Sequence, residues 1–361
     1  MKVGLVGLPT VGKTTFFNLL TKAKVETKAF ISGKVEANFS LAKVPDERVD
    51  FLAEIYKPKK VTHAQIEVTD IPGLVRGASQ GLGTGNQFLN GIRKVDALVQ
   101  IVRAFEDKDV IHVDGSIDIT RDIETINTEL LLADLQLVET RLERINTGKK
   151  ITKEMMTEKI VLEKLQEALE NEITAANAML TVEERETLRH LDFLTEKPVI
   201  IVVNVDEKQL TGGYPGQEKV LDYCSKRQLP IFEVCAKIEM ELDELDSADR
   251  ADFLQELGIT ESGINLLAKT IYTKFGLISF LTTGDDEVRA WTIKNGAKAK
   301  AAAGKIHSDI ERGFIRAEVI NFREFKVCGS MAKAKEMGKL RLEGKEYVVE
   351  DGDIINFRFN V

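Results

Sequence analysis

Gly7-Leu8-Pro9-Thr10-Val11-Gly12-Lys13-Thr14 sets two glycines, a lysine and a threonine at the spacing of a phosphate cradle, and Thr15 follows. Glycines at both ends let the backbone wrap so that N–H groups and a helix N-terminus face phosphate oxygens. Lys13 offers a cation to the outer phosphates, and the Thr14 hydroxyl is a hard oxygen ligand suited to Mg²⁺. Asp70-Ile71-Pro72-Gly73 lies about 55 residues downstream, where such folds hold Mg²⁺ through water on an aspartate and turn a glycine N–H toward the γ-phosphate. The chemistry implied is binding and hydrolysis of a nucleoside triphosphate. Leu74 stands where Ras-like switches carry a water-positioning glutamine, so the attacking water needs another partner.

The base is addressed by Asn204-Val205-Asp206-Glu207. Guanine readers use N-K-x-D, whose aspartate accepts from guanine N1–H and the 2-amino group. Here the lysine is missing and glutamate takes the fourth place, which favours ATP over GTP. Cys235-Ala236-Lys237 stands like the S-A-K turn of such proteins. Two readings stay open beside an ATPase: a regulatory nucleotide-binding module with little hydrolysis, and a GTPase.

These residues need a scaffold that delivers them to one edge. Short β-branched runs at Lys2–Val6, Ala37–Val44, Ala64–Thr69, Ala97–Val102, Pro198–Asn204 and Pro230–Ala236 predict a parallel α/β sheet covered by helices, with the phosphate loop opening a helix over Thr15–Thr21. Between residues 120 and 196 proline is absent and leucine recurs at helical spacing. Stripes at Ile126, Leu130, Ala133, Leu137 and at Ile160, Leu165, Leu169, Ile173, broken near Gly148, predict a helical coiled-coil hairpin inserted in the sheet domain. From residue 278 a small α+β module follows, with strands around Ile315–Val319, Glu346–Val349 and Ile354–Phe359. The expected division is a P-loop domain over 1–277, interrupted by 120–196, then a module over 278–361. Gly77–Gly85 reads as a switch loop ordered by the nucleotide.

With 361 residues, a net charge of −8 and 43% hydrophobic residues, the chain is neither a disordered tail nor a whole-surface polyanion binder. Three scattered cysteines support no disulfide framework and no zinc site. No apolar run of membrane-spanning length occurs, so no membrane partner is expected and a cytoplasmic location is. No motif for reading DNA sequence is seen. Arg289, Lys294, Lys298, Lys300 and Lys305 form a basic run that could meet RNA phosphates.

Taken together, the phosphate loop, Asp70–Gly73, Gly81-Leu82-Gly83, Asn86, Phe88, Arg103–Asp107, Ile126–Leu130, Asn204–Glu207, Glu287–Ile293 and the closing Phe357–Val361 resemble the Obg-like ATPase family, YchF type, nearly end to end. The resemblance implies an OBG-type G domain interrupted by a coiled-coil arm, then a TGS domain. It implies ATP hydrolysis in preference to GTP and association with the ribosome or a subunit; Leu74 in the glutamine's place makes slow Mg²⁺-dependent turnover the expectation, and the basic run over 289–305 a candidate rRNA contact. Carried over residue by residue, it puts the nucleotide on Gly7, Thr10, Val11, Gly12, Lys13, Thr14, Thr15 and Gly73. The base lies on Asn204 and the backbone of Val205, with Phe105 nearby. Hydrolysis falls to Lys13 and His112, and the metal to Thr14 and Asp70. Three departures stand out. Thr10 replaces an asparagine linked to potassium, so a K⁺ dependence does not carry over. Lys34 occupies the place of a magnesium-ligating threonine, and Gly33 that of a redox-sensing cysteine.

Overall fold

A computed structural model describes residues 1–25, 38–74, 77, 85–148 and 150–360. Gly33, Lys34 and nearly all of the Gly77–Gly85 loop lie outside the described residues. The chain divides into two compact units, Met1–Ser40 with Glu67–Ile264, and Leu41–Ile66 with Asn265–Val361.

In chain order the elements are β1 (Lys2–Val6), α1 (Lys13–Thr21), β2 (Asn38–Lys43), α2 (Glu47–Tyr56), β3 (Lys60–Thr62), β4 (Gln65–Asp70), α3 (Gly85–Arg93), β5 (Ala97–Arg103), α4 (Ile119–Thr147), α5 (Lys153–Glu170), α6 (Val182–Leu188), β6 (Val199–Asn204), α7 (Glu207–Gly212) and β7 (Ile231–Val234). The first sheet runs β2-β4-β1-β5-β6-β7. Its pairs from β4 to β7 are parallel. β5 is buried along its whole length, and β6 at all but its first residue. That explains their unbroken apolar sequence, since helices cover both faces of a parallel sheet. The C-terminal ends of β1, β4, β5 and β6 deliver Gly7, Asp70, Ala104 and Asn204 to one edge, the usual ligand edge of such sheets.

Between β5 and β6 the chain leaves the sheet. Asp118 caps α4 by accepting from Arg121 N at 3.0 Å, and the helix stops at Gly148. Thr152 caps α5. Val138, Leu142 and Ile145 pack on Val161, Leu162, Leu165 and Leu169, and Arg141 donates twice to Glu158 at 2.8 Å. The first expected stripe faces inward, with Ile126, Leu130 and Ala133 buried. The second differs: Ile160 and Ile173 are 55% and 43% exposed. On α5 the seam runs through Glu158, Val161, Leu165 and Leu169, because Arg141 satisfies Glu158 and an acid thereby enters the apolar phase. The insertion is also more than a hairpin. α6 and a 3-10 turn at Leu194–Glu196 close it, where buried Asp134 accepts from Leu194 N, Thr195 N and Thr195 Oγ1 at 2.7–2.8 Å.

In the second unit β8 (Leu277–Thr282), β9 (Glu287–Lys294), β10 (Phe314–Asn321), β11 (Arg341–Glu343) and β12 (Asp353–Phe359) join β3 in the order β11-β10-β12-β8-β9-β3. Phe280, Ile293, Ala302, Val319 and Phe357 form its core. The expected strand at Glu346–Val349 is instead a turn with one bridge, Val348 to Lys298. The unit also reaches back in sequence. β3 pairs parallel with β9, and Phe51 and Tyr56 of α2 meet Phe322 and Phe325 at 5.5 and 6.2 Å. Arg48 donates to Asp46 at 2.8 Å and to Asp351 at 2.7 Å. Composition gives no hint of this, since residues 41–66 look like any α/β crossover until their distant partners are known. Among the described residues no helix is long and apolar enough to cross a membrane.

Candidate functional site

The turn after β1 holds Gly12 at φ 98, a left-handed conformation that disfavours a side chain, and a Cβ there would lie 2.7 Å from Asn204 Nδ2. Thr10 also sits left-handed, at φ 64, with its hydroxyl bonded to Pro9 O at 2.7 Å. Among the described residues no backbone N–H from Thr10 to Thr15 donates to another backbone group, so a ring of donors and the α1 N-terminus remains for an anion. Lys13 is buried, and its Nζ donates to Leu8 O at 2.7 Å. Burial lowers its pKa to about 8 against the pull of Asp70. A partly desolvated ammonium with one neutral acceptor is poised for a polyanion.

Thr14 Oγ1 donates to Asp70 Oδ2 at 2.7 Å, which sets the expected metal pair side by side. Burial raises the Asp70 carboxyl, while the Thr14 bond and Lys13 oppose it. Gly73 lies behind: a Cβ there would come within 3.2 Å of both Lys13 Nζ and Pro9 N. Leu74, whose N–H donates to Gly7 O at 3.2 Å, buries its side chain in the core.

On the base side, Asn204 is buried. Its Nδ2 donates to Val11 O at 3.0 Å and its Oδ1 accepts from Ala236 N at 3.3 Å, tying the phosphate loop to the turn after β7. Val205 buries its side chain and leaves only backbone to offer. Asp206 caps α7, accepting from Gln209 N at 2.9 Å. Glu207 is held by Lys237, whose Nζ donates at 2.7 Å. The carboxylate that would have to accept from guanine already has a cationic partner in the neighbouring turn. Burial raises the Cys235 thiol, which keeps it protonated and inert.

Phe105 is half-buried under Arg103, whose guanidinium carbon lies 4.4 Å from the ring centre. Arg103 is itself buried and donates to Phe105 O and Val110 O, both at 2.9 Å, which shapes the loop leading to His112. Sequence reading gave Arg103 no role. The available signal was a lone cation ending a strand otherwise buried throughout.

His112 is 6% exposed. Its Nδ1 receives the Asp114 N–H at 3.2 Å, so the ring proton sits on Nε2 and is donated to Asp122 Oδ2 at 2.9 Å. Arg121 holds the other oxygen of Asp122, with Nη2 at 2.9 Å and Nε at 3.1 Å. Burial raises the Asp122 carboxyl, with Arg121 and His112 opposing. The neighbouring Ile111 carbonyl comes 3.5 Å from Thr10 Oγ1, which brings the histidine's loop to the rim of the phosphate loop. The sequence-predicted phosphate and metal residues therefore converge, Asn204 joins them through Val11, and His112 stands beside them turned onto α4.

A family model described as "50S ribosome-binding GTPase" matches residues 2–141, and the model YchF-GTPase_C, described as "Protein of unknown function (DUF933)", matches residues 277–360. The chain is similar to the "Ribosome-binding ATPase YchF" of Bacillus subtilis (strain 168), 46% identical over 100% of both chains. It is similar to the Escherichia coli O157:H7 protein of that name at 45%, covering 100% of this chain and 99% of the relative. The solved structure of the Schizosaccharomyces pombe YchF GTPase aligns at a TM-score of 0.86 and 35% identity, over 99% of this chain and 97% of the other. The α/β fold with a phosphate loop, the inserted helical arm and the end-to-end similarity agree: this chain belongs to the YchF family.

Proposed function

We propose that the chain is a slow, Mg²⁺-dependent ATPase that works on the ribosome in the cytoplasm. The observation that carries the catalytic part is the convergence of buried Lys13 with the Thr14–Asp70 pair beneath unused loop N–H groups. Gly7, Thr10, Val11, Gly12, Lys13, Thr14, Thr15 and Gly73 hold the phosphates, with Lys13 neutralising charge that builds on the transferred group. A hydroxyl and a carboxylate are the hard oxygen donors Mg²⁺ takes, so Thr14, and Asp70 through water, fit that ion. When bound, Mg²⁺ supplies charge compensation on the phosphate oxygens. Thr10 gives no ground for a potassium requirement.

The relatives' printed names include both ATPase and GTPase, so the base rests on local chemistry. Asn204 and the Val205 backbone meet adenine, with Phe105 nearby. Glu207 stands where guanine readers carry aspartate, and Lys237 already engages one of its oxygens at 2.7 Å, which competes with a guanine contact. His112 orients the attacking water, since buried Leu74 cannot. The ribosome as partner rests on the relatives' names and on the 289–305 run, where Lys294, Lys300 and Lys305 are exposed and can meet rRNA phosphates. Single-turnover phosphate release from ATP and GTP, with and without ribosomes, tests the proposal; preferential GTP turnover contradicts it. One observation favours the second reading, a binding module with little hydrolysis: both His112 nitrogens are committed to protein partners.

A further inference from the structure

Helix α4 is the first helix of the arm, and its base holds two pieces of the nucleotide site. Asp122 is fully buried in the first turn and accepts from His112. Seven residues on, two turns up the same face, buried Glu129 accepts from the backbone N–H of Gly77 at 2.7 Å. Gly77 opens the glycine-rich segment that follows Asp70–Gly73. Ile123, Ile126 and Leu130 of the same helix are buried too, and Gln100 of β5 donates to Ile123 O at 3.3 Å, so this stretch of α4 rests on the sheet.

The His112 contacts leave no ring nitrogen for water. Nδ1 is filled by the Asp114 N–H and Nε2 is spent on Asp122, while Arg121 fixes Asp122 from the other side. The imidazole cannot orient a nucleophile without giving up one of these bonds. We propose that Asp122 and Glu129 are positioning residues through which the arm governs hydrolysis: Asp122 holds His112 turned away, Glu129 ties α4 to Gly77, and displacement of α4 releases His112 toward the γ-phosphate. This rests on the reading that His112 orients the water.

Asp122→Asn puts an NH₂ where either Arg121 or His112 needs an acceptor, and Glu129→Met removes the acceptor for Gly77 at similar volume. With the full-length chain, ATP turnover is measured with and without ribosomes. Asp122→Asn should raise kcat without ribosomes several-fold at a KM within about twofold of the parent, and ribosomes should then stimulate it less. Glu129→Met should shift kcat the same way. In a His112→Ala background Asp122→Asn should do nothing more, which a merely structural role for Asp122 would not produce. Unchanged or lowered kcat in a folded Asp122→Asn, or an effect that survives His112→Ala, overturns the proposal. If His112→Ala alone loses activity while Asp122→Asn is silent, the water assignment stands and only the holding role fails. If His112→Ala turns over at the parent rate, the water assignment itself has failed. ¹⁵N spectra of histidine-labelled parent protein serve even where a variant does not fold: nucleotide-free His112 should carry its proton on Nε2, and a proton on Nδ1 overturns the arrangement.

Discussion

Lys13 is where sequence motif and electrostatics meet most directly. With its pKa lowered to about 8, the empty site loses this charge as pH rises through that value. ATP restores it by bringing anionic oxygens, so binding at pH 8.5 should take up a proton, and affinity should fall by up to about tenfold per pH unit above the transition. Calorimetry in buffers of different ionisation enthalpy reads the uptake; none at pH 8.5 contradicts the assignment. The stability consequence has the opposite sense. Between about pH 8 and 10.5 the unfolded chain holds the proton and the folded one does not, so folding stability gains from this group as pH rises and loses that gain as pH falls through 8. Lys13→Ala removes a charge-assisted contact and should weaken ATP by about 1.5–3 kcal/mol, measured by competition against a labelled nucleotide. Base selection is tested at Glu207 and Lys237. If their pairing withholds the carboxylate from guanine, Lys237→Ala should narrow the ATP preference, and an unchanged ATP-to-GTP affinity ratio would remove the pair from the argument.

At the scale of elements, legibility in the sequence tracks how local the signal is. The phosphate loop, β1, β5 and β6 were readable because glycine spacing and unbroken apolar runs have one cheap structural meaning. The arm was readable as helix but not fully as seam: Ile160 lay in the apolar count although the packed face runs through Glu158, an acid made acceptable by Arg141 seventeen residues earlier and by His190. His112 could be nominated but not placed, because its orientation depends on Asp122 and Asp114, whose roles no spacing rule announces. Least legible was the second unit. A module starting at 278 omits β3 and α2, which cover β9, Phe322 and Phe325. A fragment of residues 265–361 should therefore melt earlier and bind more apolar dye than the same fragment fused by a short linker to residues 41–66, as thermal denaturation would show. Equal melting would mean that the early segment adds nothing to this sheet. In the arm, Leu165→Ala opens a cavity at a fully buried site and should cost about 2–5 kcal/mol. Its effect should appear as early protease cleavage within α5, with ATP affinity retained.

The whole molecule carries a net charge of −8, so the proposed docking on a polyanionic ribosome has to rely on local basic surface rather than on an overall field. Charge reversal at exposed Lys294, Lys300 and Lys305 should weaken co-sedimentation with ribosomes and flatten its salt dependence, each lost phosphate contact lowering the slope by about 0.7–0.9. Binding that ignores both salt and these charges would move the contact to the arm. The discontinuity of the second unit matters to the protein during its own synthesis. Thr62 Oγ1 bonds Glu287 Oε1 across 225 residues. At roughly 5–20 residues per second, α2 and β3 emerge about ten to forty-five seconds before the strand they need. β12, an interior strand of that sheet, follows later still. The apolar side of α2 must therefore wait unpaired on a nascent chain while the arm is translated. Synthesis that stalls before β9 leaves residues 41–66, made long before, without the strand that β3 pairs with.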